Sequence, residues 1–189
     1  MVERKLSPER RARILDAARR LILLHGLRAT TMEAVARAAQ IAKPTLYGYF
    51  PDKEAVFAAL VQTFAGDLRD AVDTALAKPG DVVSRIAEAL AAKYGVIARL
   101  LEGSPHAEEL YSEHDRTGAT EFAAIDEAIK GSIAATLAEA GVKKPEALVE
   151  LLVGATYGLA RKAKSQADLA PAIRLLTQRL IEPELPRRE

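Results

Sequence analysis

The chain has 189 residues, of which 49% are hydrophobic and only 5% aromatic, with 27 Lys/Arg, 26 Asp/Glu and no Cys. Lack of cysteine excludes disulfides, thiolate metal sites and cysteine nucleophiles, and no apolar run approaches the ~18 residues of a membrane-spanning helix. The net charge of +1 hides a split, since residues 1–55 hold 11 basic and 6 acidic groups and the remainder 16 and 20; a basic head on an acidic body suits a polyanionic partner for the head.

Composition and punctuation predict an all-α protein, because no alternating β-rich run bounded by hairpin turns occurs. The opening MVERKLSPERRARIL is too charged for a secretory signal, so a cytoplasmic protein is expected. Ser7 is a natural N-cap, Pro8 suits the first helical position, and Glu9 complements the positive helix end. Ile14, Ala17, Ala18 and Leu21 then repeat as an amphipathic stripe, and His25–Gly26 closes the helix. Thr30–Thr31 starts a short second helix carrying Met32, Val35, Ala36 and Ala39 on one side. Ile41 is an apolar residue in the turn, and Pro44 opens a third helix. This is the helix-turn-helix layout. Pro51–Lys53 ends the third helix and begins a long fourth, with Asp52 as its N-cap. Further helices are expected near 52–77, 82–101, 106–115, 118–140, 145–164 and 168–181, about nine in all.

The third helix poses a question of its own. A mid-helix glycine costs ~1 kcal/mol relative to alanine, yet Gly48 stands among Tyr47, Tyr49 and Phe50. At ~100° per residue, Leu46 and Phe50 face the core, while Pro44, Thr45 and Gly48 lie opposite. Tyr47 and Tyr49 form the flanks. A small, flat face between hydroxyl-tipped walls fits the DNA major groove, ~12 Å wide, with the phenols at phosphates and the small residues near base edges.

The run TTMEAVARAAQIAKPTLYGYFPDKEAVFAAL resembles the DNA-binding segment of the tetracycline-repressor family of bacterial transcription regulators. The matching features are the Thr pair, Ala-Val-Ala in the first motif helix, Pro-Thr-Leu-Tyr-x-Tyr-Phe, and Lys-Glu opening the fourth helix, over about residues 10–60. The resemblance implies that Thr31 caps the first motif helix and touches a phosphate. It implies that Lys43 contacts bases or phosphates, that Pro44 and Thr45 meet a thymine methyl or phosphate, and that Tyr47 and Tyr49 contact phosphates. Gly48 lies on the same DNA-facing side, and Lys53 matches a backbone-clamping lysine at a helix N-terminus. Three positions depart from the pattern. Gln40 replaces the usual turn glycine and must accept a side chain, Ala42 replaces a common capping serine, and Gly48 replaces a larger residue. Which bases are read is therefore open.

In the body, LVELLVGATYGLA (148–160) has one charge, Glu150, and is apolar nearly all round, so one side is expected to meet a second subunit. Leu151, Gly154, Ala155 and Gly158, with Ile173, Leu176 and Leu180 of the last helix, are the expected homodimer interface, a four-helix bundle. An effector cavity is expected between head and interface. Phe122 and Asp126 lie on the stripe of Ile125, Ile129, Ile133 and Leu137, and Tyr94 on that of Val83, Ile86, Leu90 and Ile97. Asp126 either binds effector or pairs locally with Arg99 or Arg116; Tyr94 either packs in the core or lines the effector site. His106 and His114 lack metal-ligand spacing, and no metal or cofactor is expected.

These readings divide the chain into a DNA-binding head at 1–57 and an effector-binding and dimerisation body at 58–189. They describe a ligand-responsive repressor that binds palindromic double-stranded DNA as a dimer and is released by a small molecule. An all-helical enzyme is the alternative, but the chain lacks a glycine-rich phosphate loop and an H-E-x-x-H pair. A non-DNA adaptor is the other, separable by salt-sensitive binding to duplex DNA.

Overall fold

The computed structural model describes residues 7–106, 119–163 and 165–186, and the side chains of all of these except 119–122 and 166. Described residues form eight α-helices: α1 (Pro8–His25), α2 (Met32–Ala38), α3 (Lys43–Tyr49), α4 (Lys53–Leu76), α5 (Val82–Leu101), α6 (Ala119–Glu139), α7 (Pro145–Lys162) and α8 (Gln166–Ile181), followed by a 3-10 turn at Glu182–Glu184. The helix expected near 106–115 lies outside the described residues. The chain divides into two compact units, one of residues 1–64 and 101–122, the other of residues 65–100 and 123–189.

Helix ends in the first unit follow the local chemistry. The Ser7 hydroxyl accepts the Arg10 N–H at 3.3 Å, and Gly26 leaves α1 at φ +82°, where a side chain would be strained. Thr31 accepts the Ala34 N–H at 3.2 Å. Asp52 accepts that of Ala55 at 2.7 Å. Each bond satisfies one donor that a helix N-terminus otherwise leaves open. The core of this unit joins Ile14, Ala18, Val35, Leu46, Phe50 and Val56, drawn from α1 to α4. Ser104, beyond α5, ties itself to α1 by donating to the Leu23 carbonyl at 2.7 Å.

The second unit packs the later part of α4 with α5 to α8. Its buried residues include Leu68, Val72, Ile86, Leu90, Ile129 and Leu137. Asp81 caps α5, accepting the Ser84 N–H at 2.8 Å and its hydroxyl at 2.7 Å, and these bonds lower the Asp81 pKa. Buried hydroxyls are satisfied within their own helices: Thr156 donates to the Leu152 carbonyl at 2.7 Å and Thr177 to that of Ile173 at 2.8 Å. A hydroxyl left without a partner there would cost ~1–3 kcal/mol. No helix among the described residues is long and apolar enough to cross a membrane.

Candidate nucleic-acid interface

The α2–α3 corner depends on one strained residue. Gln40 adopts φ +54°, the only described non-glycine residue with positive φ. Its N–H reaches the Arg37 carbonyl at 3.1 Å, and the Ile41 N–H reaches that of Ala36 at 3.0 Å, the paired bonds of a Schellman end. The left-handed backbone expected of a glycine position is thus carried by glutamine. Ile41 turns inward against the head core, and α3 starts at once. Ala42 supplies no side-chain cap, so the start of α3 lacks a bond worth ~1 kcal/mol.

Leu46 is fully buried and Phe50 is 4% exposed, which fixes the inner side of α3. Arg11 of α1 lies 5.3 Å from the Phe50 ring centroid, a cation–π contact that closes this side. Lys43, Pro44, Tyr47 and Gly48 are exposed, and Thr45 is half-buried. A Cβ built on Gly48 meets nothing within 4 Å. No packing within the described chain demands glycine there, so any steric reason for Gly48 lies outside the chain.

The two tyrosines differ. Tyr47 is 43% exposed and has the Lys43 ammonium 5.9 Å from its ring centroid. Tyr49, expected as the second outer wall, is half-buried against the head core, and its hydroxyl accepts the Ser7 N–H at 2.9 Å. Its oxygen ties the start of α1 to the end of α3, while its proton can still be donated outward. Lys53 donates to the carbonyls of Leu27 at 3.2 Å and Arg28 at 3.5 Å, holding the α1–α2 connection to the start of α4. Lys43 pairs with Glu33 of α2, a partner that sequence reasoning did not assign. The signal was there: an acid in the first turn of α2, ten residues before Lys43.

In the second unit, Asp126 accepts from Lys93 of α5 at 2.7 Å, a partner other than the expected Arg99 or Arg116, and Arg116 lies outside the described residues. Lys93 was missed because it falls one position from Tyr94 on a helix read only for its apolar stripe. Its side chain is 8% exposed, that of Asp126 28%. Its ammonium lies 5.6 Å from the Tyr94 ring centroid. Tyr94 is 3% exposed and part of the core. The Phe122 side chain lies outside those described.

The residues expected at a subunit interface fall into two groups. Leu151 is 62% exposed; Gly154 and Gly158 are exposed, and Ala155, Leu176 and Leu180 half-buried. Ile173 is a correction: at 0% exposure it faces the interior of its own unit and has no surface to offer a partner. On α7 the inner face is Leu148, Val149, Leu152 and Thr156, which leaves Leu151, Gly154, Ala155 and Gly158 as one outward stripe. Leu175, 57% exposed, is an outward residue of α8 that the sequence reading passed over. Among the described residues, no three His, Asp or Glu side chains converge as a metal site.

A helix whose reverse side is locked in an apolar core and whose outer side is small and basic-flanked, set at a tight turn behind another helix, is the arrangement of a helix-turn-helix motif. Residues 14–60 match the sequence profile of bacterial regulatory proteins of the tetR family. The chain is 34% identical over 71 residues to the HTH-type transcriptional regulator YhgD of Bacillus subtilis (strain 168), covering 38% of this chain and 37% of that protein. It is 36% identical over 84 residues to the HTH-type transcriptional regulator BetI of Rhizobium meliloti (strain 1021), covering 43% and 41%. The matches therefore span about two-fifths of the length of these curated relatives. A TetR-like transcriptional regulator from Rhodococcus sp. RHA1 shares the fold across 90% of this chain and 94% of its own, with a TM-score of 0.61 and 24% identity. Over residues 14–60 the chain is thus similar to tetR-family regulators, and over most of its length it has the fold of a TetR-like regulator.

Proposed function

We propose that this chain is a repressor that binds a palindromic operator in double-stranded DNA as a homodimer and leaves it when a small molecule enters the body. The observation that carries the reading is the outer face of α3: Pro44 and Gly48 lie bare and open, flanked by Lys43 and Tyr47, over a fully buried Leu46. Such a face can approach base edges closely, with Thr45 beside it, while Thr31, Tyr47, Tyr49 and Lys53 meet phosphates. Residues 1–57 carry this DNA contact, and residues 58–189 carry effector binding and dimerisation.

The outward stripe of α7 with Leu175, Leu176 and Leu180 of α8 is the surface for the second copy. Glycines at 154 and 158, each with open space at the Cβ position, allow close helix approach. In the body, the Lys93–Asp126 pair supplies the polar groups an effector would address, with the Tyr94 ring beside the lysine. The protein works in the cytoplasm without metal or cofactor.

Lys53→Ala and Tyr47→Phe are expected to weaken binding to a selected operator and to random duplex by similar factors, because phosphate contacts position without specifying. Lys53→Ala lowers the slope of log K against log salt by about one. Loss of discrimination with sequence-blind affinity intact would refute these roles.

A further inference from the structure

Lys43 opens α3 on the outward side of the head, yet its charge is already engaged. Its ammonium donates to the Glu33 carboxylate of α2, and both side chains are 53% exposed. The bond to Lys43 holds the Glu33 carboxyl below its ordinary pKa, and Glu33 holds the Lys43 ammonium above its own, so both stay charged around neutral pH. Lys53 is different. Its partners are the neutral carbonyls of Leu27 and Arg28, which leave its charge uncompensated.

The distinction matters for a polyanion. Affinity for duplex DNA comes from cations that replace condensed counterions. An intact Glu33–Lys43 pair has no net charge and replaces none. A phosphate that captures Lys43 must break the pair, and then lies close to a carboxylate that has lost its partner. We infer that Glu33 is an intramolecular competitor for Lys43, a brake on sequence-blind binding of the head to the DNA backbone. The inference rests on the DNA-binding reading of the head. Its use is plain where sequence-blind sites vastly outnumber operators.

The test is a double-mutant cycle in the full chain: wild type, Glu33→Gln, Lys43→Gln and the double variant, titrated onto a random-sequence duplex over a range of KCl. Glu33→Gln is expected to bind several-fold tighter than wild type, with a salt slope steeper by about one. In the Lys43→Gln background the same change gains much less, because no pair remains to be broken. Glu33→Ala, also at an exposed position, repeats the pattern and guards against a peculiarity of glutamine. Equal gains in both backgrounds would make Glu33 a plain repulsive charge and overturn the inference, as would no gain at all. If wild type and every variant fail to bind duplex DNA even at low salt, the DNA-binding reading itself fails and takes the inference with it.

Discussion

The head places its polar chemistry outside a closed apolar core, whereas the body sets an ion pair, its lysine buried and its aspartate half-buried, against its own. On α3, Lys43, Pro44, Tyr47 and Gly48 face outward while Leu46 and Phe50 anchor the reverse side. In the second unit, Lys93 and Asp126 meet across 33 residues of sequence, with the lysine side chain 8% exposed. A partner with one fixed shape, such as duplex DNA, can be met by a surface written on a single helix. An interior, by contrast, is assembled from distant segments.

The largest effects should come from the two anchoring features. Leu46→Ala removes a fully buried side chain and should cost ~2–5 kcal/mol. DNA binding should disappear, with a new low-temperature phase in helical unfolding followed by circular dichroism. An unchanged melt would mean that α3 is not held by its inner side. Asp126→Leu strips the carboxylate from a buried lysine; with Asp126 itself 28% exposed, the cost should be ~2 kcal/mol, below the range for fully buried pairs. Lys93→Met combined with Asp126→Leu should recover most of that in denaturant titration. A double variant as unstable as the single would show that the pair contributes more than its own compensation.

Smaller effects sharpen the contrast within the head. Gln40→Gly relieves a side chain at φ +54° and should raise stability by ~1 kcal/mol. Operator affinity should hold, because the turn geometry is already the one glycine prefers. Gly48→Ala should also stabilise, by up to ~1 kcal/mol, since a Cβ there meets nothing within 4 Å. Operator affinity should fall nonetheless, because the added methyl points to the groove. If stability and affinity rise together in Gly48→Ala, the close-approach account of this glycine is wrong.

Much of the head was legible because its determinants are local. Ser7, Thr31 and Asp52 cap within three residues of themselves, and the inner and outer sides of α3 follow from its helical period. Gln40 stood out only through the family resemblance, which left open a left-handed backbone or an altered turn, and the structure has the former at φ +54°. What escaped were contacts between elements: Tyr49 bonding Ser7, 42 residues away, Glu33 holding Lys43, and Lys93 reaching Asp126. Ile173 and Leu175 show the same limit on α8. Both belong to an apolar run, and only packing against neighbouring helices decides that Ile173 turns in and Leu175 out.

The central claim is that paired heads read DNA through the outer face of α3. Hydroxyl-radical footprinting of the purified full chain on an operator recovered by selection from genomic fragments tests it most directly. The account predicts two protected half-sites related by a palindrome, with centres ~34–36 Å apart, one helical turn of DNA. Protection of a single half-site, or uniform protection without a palindrome, would contradict it.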